Sequence, residues 1–145
     1  MKKIETSNAP GAIGPYSQGM VSGKLVFTSG QIPLDPGTGT IVGETIEEQS
    51  EQALKNLQAV LEAGGASLST VVKTTCFLSD MGNFAAFNGV YAKYFTGDCP
   101  ARSCVAVKTL PKGVMVEVEA IAEADRKSTR LNSSHPTTSR MPSSA

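Results

Sequence analysis

The sequence predicts an α+β fold: a single domain in which a mixed sheet is covered by two helices on one face. Its 145 residues are enough for one domain and too few for two. Short strand-like segments are interrupted at two places by segments with helical spacing, and the resulting element order is βββαβαββ.

The N-terminal part is predicted to be β structure. Residues 16–21 and 25–29 have strand-like composition, and the intervening Ser22-Gly23-Lys24 is a short hairpin connection. Residues 35–40, which include Asp, Pro and two glycines, predict a second, looser turn.

The first helix has clear start and stop signals. Thr45 and Glu48 have the spacing of a capping box, and Gly64-Gly65 ends the helix. Its apolar face comprises Ile46, Ala53, Leu57, Val60 and Leu61.

The second half contains one helix among three strands. Residues 71–78 are apolar and β-branched, and Asn83 is predicted to cap the second helix. Residues 102–108 and 114–122 predict the last two strands, joined by a turn at 109–113. The aromatic stripe of the second helix, which we interpret as core, comprises Phe84, Phe87, Tyr91, Tyr94 and Phe95.

With both helices on one face, the opposite face of the sheet has no cover within its own chain. An uncovered apolar face of this kind favours oligomerisation.

The composition changes after Ala124. Residues 125–145 are rich in Ser, Thr, Arg and Pro with almost no apolar residues, which predicts disorder. Their order resembles the in-frame translation of a sequencing adapter, so we interpret them as a non-native tail and place the domain at residues 1–124. The alternative is a natural disordered basic tail. His135, the only histidine, lies in this segment.

Charge and composition exclude several classes of protein. Residues 1–124 carry nine basic and twelve acidic side chains, a net charge of −3, which is a poor match for nucleic acid. No segment has the roughly 20 apolar residues of a membrane span, and the N-terminus does not resemble a signal peptide, so we expect a cytoplasmic protein.

Cys76, Cys99 and Cys104 lack CxxC spacing, and we expect neither a disulfide framework nor a zinc site.

Arg102 is the most conspicuous candidate for chemistry. Residues 1–124 contain no histidine, which excludes Ser-His-Asp and Cys-His catalysis. Arg102 begins a strand of otherwise small and apolar residues, and its guanidinium is suited to binding a carboxylate at two points. The alternative is an edge-strand arginine paired with an acid of its own chain.

Glu117 and Glu119 lie two residues apart on the last predicted strand and therefore share a face. One of them is a candidate general base that orients a water, and the alternative is a solvated acidic face.

Other polar positions carry weaker signals. Gly30, after Ser29, allows a ligand to approach backbone amides or marks a bulge. The Tyr16 hydroxyl is a candidate contact of a substrate, and the alternative is that Tyr16 only packs. Asn88 is a candidate hydrogen-bonding residue of a pocket, and the alternative is that it is simply exposed.

Five ordered segments resemble the hallmark motifs of the Rid family, the YjgF-type reactive intermediate imine/enamine deaminases, and of its RidA-like branch. The resemblance extends from about Ile4 to Ala122. The segments are AIGPYSQG at 12–19, SGQIP at 29–33, VKTT at 72–75, PARSCV at 100–105, and LPKG at 110–113 with VEVEAIA at 116–122.

The resemblance implies a chorismate-mutase-like homotrimer with sites between subunits. It implies a cofactor-independent enzyme that hydrolyses 2-iminobutanoate, 2-iminopropanoate or their enamine tautomers to 2-keto acids and ammonia.

The resemblance also implies roles for individual residues. Arg102 binds the substrate carboxylate, the backbone at Cys104 contacts the substrate, and Glu117 holds the attacking water. The pocket lining comprises Tyr16, Ser29, Gly30 and Asn88. Cys99 stands where an aromatic residue is common in the family, which bears on the pocket rim.

One geometric difficulty accompanies these roles. With a plain turn at 109–113, Val105 opposes Glu117, which then faces away from Arg102. A bulge would shift this register. We keep Glu117 as the base on the strength of the resemblance, with Glu119 as the second choice.

Two other functions remain alternatives. A non-catalytic sensor of small 2-keto acids would use the same Arg102. A nuclease is disfavoured by the acidic charge of residues 1–124.

Overall fold

The computed structural model describes residues 1–124, so the tail at 125–145 and the interpretation of it lie outside the described residues. The predicted α+β class and the order βββαβαββ are confirmed. The first strand, to which the sequence pattern assigned no residues, lies near the N-terminus. The elements are β1 (Lys2–Ile4), β2 (Gly19–Ser22), β3 (Leu25–Thr28), α1 (Ile46–Ala63), β4 (Val71–Leu78), α2 (Phe84–Tyr94), β5 (Ala101–Ala106) and β6 (Val116–Glu123).

The six strands form one mixed sheet in the order β1-β2-β3-β6-β4-β5, in which only the β4–β5 pair is parallel. The predicted hairpin between the last two strands is therefore wrong, because β4 lies between β5 and β6. The unit β4-α2-β5 is a crossover that returns the chain parallel to β4, at the sheet edge. The following segment then passes the end of β4, where the Ser79 amide donates to the Met115 carbonyl at 3.0 Å.

The helix caps were predicted with mixed success. The Thr45–Glu48 capping box is confirmed: the Glu48 amide donates to Thr45 Oγ1 at 3.1 Å, and the Thr45 amide donates to Glu48 Oε1 at 3.3 Å. Asn83 lies at the predicted N-cap position of α2, but its side chain makes no capping bond. Asp80 accepts from the Gly82 amide at 2.8 Å instead, in a short helical turn that leads into α2.

The core lies between the helices and one face of the sheet. Along β6, Val116, Val118, Ala120 and Ala122 are buried against it. The other face exposes Phe27 by 38% and Val105 by 47%, so the predicted apolar face has no cover within the described residues. None of the described helices has the length and apolarity needed to cross a membrane.

Candidate active site

Arg102 lies on the edge strand β5 in an unusual environment. Its Nη1 donates to Asn88 Oδ1 at 2.7 Å. Its Cζ lies 4.8 Å from the ring centroid of Tyr91 and 5.4 Å from that of Phe84, within the range of a cation–π interaction. We call Arg102, Asn88, Tyr91 and Phe84 the arginine cluster.

No carboxylate is part of this cluster. The ion pairs within residues 1–124 are Lys3–Glu5 and Lys93–Glu51, so Arg102 pairs with no described acid of its own chain. The alternative interpretation, that Arg102 is an edge-strand arginine paired with an acid of its own chain, is therefore wrong for the acids within residues 1–124. The guanidinium is held in place and still has donors available for an anion.

Cys104 follows on the same face of β5, opposite Cys76 of β4. It is partly buried, and burial raises the pKa of its thiol, while the nearby Arg102 lowers it. Because the net direction is upward, the thiol stays protonated at neutral pH, which disfavours a nucleophilic role.

Glu117 lies in a separate place, in the wall of a cavity of about 800 Å³. The same cavity is lined by Tyr16, Ser29 and Gly30. Burial raises the pKa of the Glu117 carboxyl, and the neighbouring Glu119 raises it further. A half-buried carboxyl with a raised pKa holds a proton more readily than an exposed one, which suits it to accept and return a proton.

A bulge beside β3 brings Gly30 onto Glu117. Phe27 of β3 pairs with Ile121 of β6, whereas Gln31 pairs with Val118. The segment from Phe27 to Gln31 therefore has one residue more than the segment of β6 opposite it. The bulge reading of Ser29-Gly30 is thus confirmed. The Gln31 amide donates to the Val118 carbonyl at 2.8 Å and fixes the new register.

Two other predicted residues of the cavity have different surroundings. The Ser29 hydroxyl donates to the Ser17 carbonyl at 2.6 Å, so it fixes the loop that carries Tyr16. Tyr16 is 52% exposed and lines the same cavity.

The arginine cluster and Glu117 are on opposite faces of the sheet. Cys76 of β4 pairs with both Cys104 and Val118, so these three side chains share the helix-covered face. Glu117, one residue from Val118, points to the other face. The expected geometric difficulty is therefore real, although its cause is the placement of β4 rather than a hairpin. A single chain does not bring Arg102 and Glu117 together.

Sequence analysis missed three residues near these groups. Phe84 and Tyr91 were interpreted only as core, yet their spacing of four and three residues from Asn88 places all three on one side of α2. Lys112 also lines the cavity, with a left-handed backbone at φ 58° that sequence alone did not signal.

Comparisons with known proteins place the chain in one group. Residues 6–124 match the family described as Endoribonuclease L-PSP. A 2-iminobutanoate/2-iminopropanoate deaminase of Salmonella typhimurium is 51% identical over 124 residues, covering 83% of this chain and 96% of that protein. AldR of Lactococcus lactis, described as a candidate regulator, is 50% identical over 123 residues, or 85% of this chain and 98% of that protein.

The fold agrees with these relationships. The crystal structure of Escherichia coli TdcF with bound serine matches with a TM-score of 0.82 and 46% identity, covering 86% of this chain and all of that one. The family match and the identities of about one half show that the chain belongs to the Endoribonuclease L-PSP family, the YjgF/RutC/Rid group that its motifs resemble.

Proposed function

We propose that the protein hydrolyses 2-imino acids, such as 2-iminobutanoate and 2-iminopropanoate, to 2-keto acids and ammonia. The observation that carries the proposal is Arg102, a guanidinium held by Asn88 and two aromatic rings with no described carboxylate beside it. A substrate that carries a carboxylate next to its reacting carbon would complete this pairing. The identity to a named 2-imino acid deaminase supports the choice of substrate.

The chemistry needs few groups. Water adds to the C=N carbon of the protonated imine, and Glu117 accepts the proton that the water loses. Glu117 returns this proton to the nitrogen. As the C–N bond breaks and ammonia leaves, Glu117 accepts the proton of the new hydroxyl group, so that the C=O bond forms, and this last proton passes to ammonia or solvent. Arg102 fixes the carboxylate throughout, so positioning supplies much of the rate, and the proposal requires no cofactor.

The proposed site lies between subunits of a homotrimer. Arg102 and Glu117 lie on opposite faces of one sheet, so the pair has to come from two copies of the chain. A ring in which the β5 edge of one copy meets the uncovered face of the next would join them and would cover Phe27 and Val105. In this arrangement Tyr16, Ser29 and Gly30 lie on the side of Glu117, and Asn88 and Cys104 on the side of Arg102.

The second candidate is a non-catalytic sensor of 2-keto acids, for which the relationship to AldR is the specific support. One experiment separates the two. A threonine dehydratase generates 2-iminobutanoate in the presence of the full chain, and the decay of the imine is followed by trapping the remainder with semicarbazide. The deaminase is supported if the protein accelerates the decay of 2-iminobutanoate and the Arg102→Ala variant does not. Binding of 2-oxobutanoate without acceleration supports the sensor.

A further inference from the structure

The two rings of the arginine cluster, Tyr91 and Phe84, lie on one side of α2 and contact the Arg102 guanidinium. Tyr91 is 7% exposed, and its hydroxyl is hydrogen-bonded to Thr74 Oγ1 at 2.8 Å. Thr74 is fully buried and is the β4 residue that pairs with Arg102. The tyrosine ring is therefore tied to the strand next to the one that carries the guanidinium.

Arg102 has few other ways to hold its direction. It is the second residue of the edge strand β5, which is mostly exposed, and only one of its nitrogens donates to Asn88. A ring face attracts the guanidinium without neutralising its charge, and leaves its edge free for hydrogen bonds. An acidic partner would hold the group equally well, but it would compete with a bound carboxylate.

We propose that Tyr91, held by Thr74, is a positioning residue for the carboxylate site, and that Phe84 assists it from the other ring contact. The inference rests on the proposed carboxylate-binding role of Arg102. It states that the two rings orient the guanidinium, so that removing either one weakens carboxylate binding beyond any effect on folding.

The test measures binding of 2-oxobutanoate by calorimetry, together with thermal unfolding, for the full chain and its variants. Tyr91→Leu is expected to weaken binding about ten-fold, as the loss of a desolvated cation–π contact implies. Tyr91→Phe keeps the ring, and its dissociation constant is expected to lie within about three-fold of that of the parent. Phe84→Leu, at a less buried position, is expected to cost about three-fold and tests the inference if Tyr91→Leu does not fold.

Val90→Ala is the matched control, because Val90 is buried on the same helix and contributes no ring to the contacts with Arg102, whereas Phe87 packs on Tyr91 with ring centroids 5.6 Å apart. It is expected to lower the melting temperature while leaving the dissociation constant nearly unchanged. Equal binding losses for Val90→Ala and Tyr91→Leu, or no loss for Phe84→Leu, would overturn the inference. If the parent binds and Arg102→Ala does not, the proposed site survives that outcome. If the parent itself fails to bind 2-oxobutanoate, the inference fails, and the imine-decay assay alone decides the proposed function.

Discussion

The Glu117 carboxylate lies directly on the backbone of Gly30. A Cβ built at Gly30 would be 1.8 Å from Oε2 of Glu117, which is far inside any permitted contact. The absence of a side chain at this position is therefore a condition for the present placement of the carboxylate.

Gly30→Ala is expected to displace Glu117 and to lower kcat/KM for imine hydrolysis, up to the 10²–10⁴-fold range of a lost general base. Gly11→Ala is the control, because Gly11 lines the same cavity but a Cβ there meets nothing within 4 Å. Steady-state kinetics of both variants check the prediction. Equal activity in the two would show that the position of Glu117 does not matter.

The activity is expected to fall at acid pH as Glu117 becomes protonated, with a midpoint above the ordinary carboxyl value of 4.5, because burial and Glu119 raise its pKa. Glu119→Gln removes the second cause, so the acid limb of the pH–rate profile should move to lower pH. Glu117→Gln should lose most activity at every pH. An unchanged limb in Glu119→Gln would show that another group titrates.

The same shift predicts an effect on stability. A carboxyl whose pKa is raised by folding stabilises the protein below its unfolded pKa, and this contribution is lost as pH rises through the folded value. Glu117→Gln does not titrate, so its melting temperature relative to the parent should increase from pH 4 to pH 8.

Arg102→Lys is expected to fail nearly as badly as Arg102→Ala. A bidentate charge-assisted pair contributes on the order of 3 kcal/mol, and an ammonium group reproduces neither the planar fork nor its contact with two ring faces. Binding of 2-oxobutanoate and kcat/KM are the measurements. A lysine variant with most of its activity would contradict the carboxylate role.

Cys104→Ser and Cys104→Ala are expected to keep substantial imine hydrolysis, because burial raises the pKa of this thiol and a backbone contact does not need the sulfur. The variants are assayed on the same imine as Glu117→Gln. If Cys104→Ser were inactive while Glu117→Gln stayed active, the thiol would be the nucleophile and Glu117 would not be the base.

The proposed intersubunit site predicts complementation between two inactive variants. When Arg102→Ala and Glu117→Gln chains are unfolded and refolded together at equal amounts, mixed rings acquire intact junctions. Random closed trimers should recover about a quarter of the parent activity. Each variant refolded alone is the control, and sedimentation establishes the trimer. No recovery from mixed trimers would place both residues in one chain's site, and a stable monomer would remove the interface altogether.

The element order could be predicted because it depends on local patterns. The capping box at Thr45 and the alternation along β6 are each contained in a few residues, and the structure preserves both. The pairing of β6 between β3 and β4 could not be predicted in the same way. Such pairing depends on contacts across large sequence separations, and the turn at 109–113 locally resembles a hairpin.

The candidate site shows the same division. Arg102 stood out because a charge begins an apolar strand, but its aromatic partners were indistinguishable from core until α2 was placed beside β5. The bulge at Gly30 was one of two readings of a single glycine. Its contact with Glu117 depends on the position of β6, which no local pattern encodes.

The extra residue between Phe27 and Gln31 interrupts the pairing with β6 and also forms the wall of the proposed site. A regular ladder would pair these strands without interruption, and deletion of one residue in this interval would restore it. The Ala120 amide, which now donates to Thr28 Oγ1 at 3.0 Å, would regain a main-chain partner. Selection for thermal stability alone would therefore favour the shorter segment. The shorter segment would lack the wall against which Glu117 lies. A stability screen of this region is expected to enrich inactive proteins.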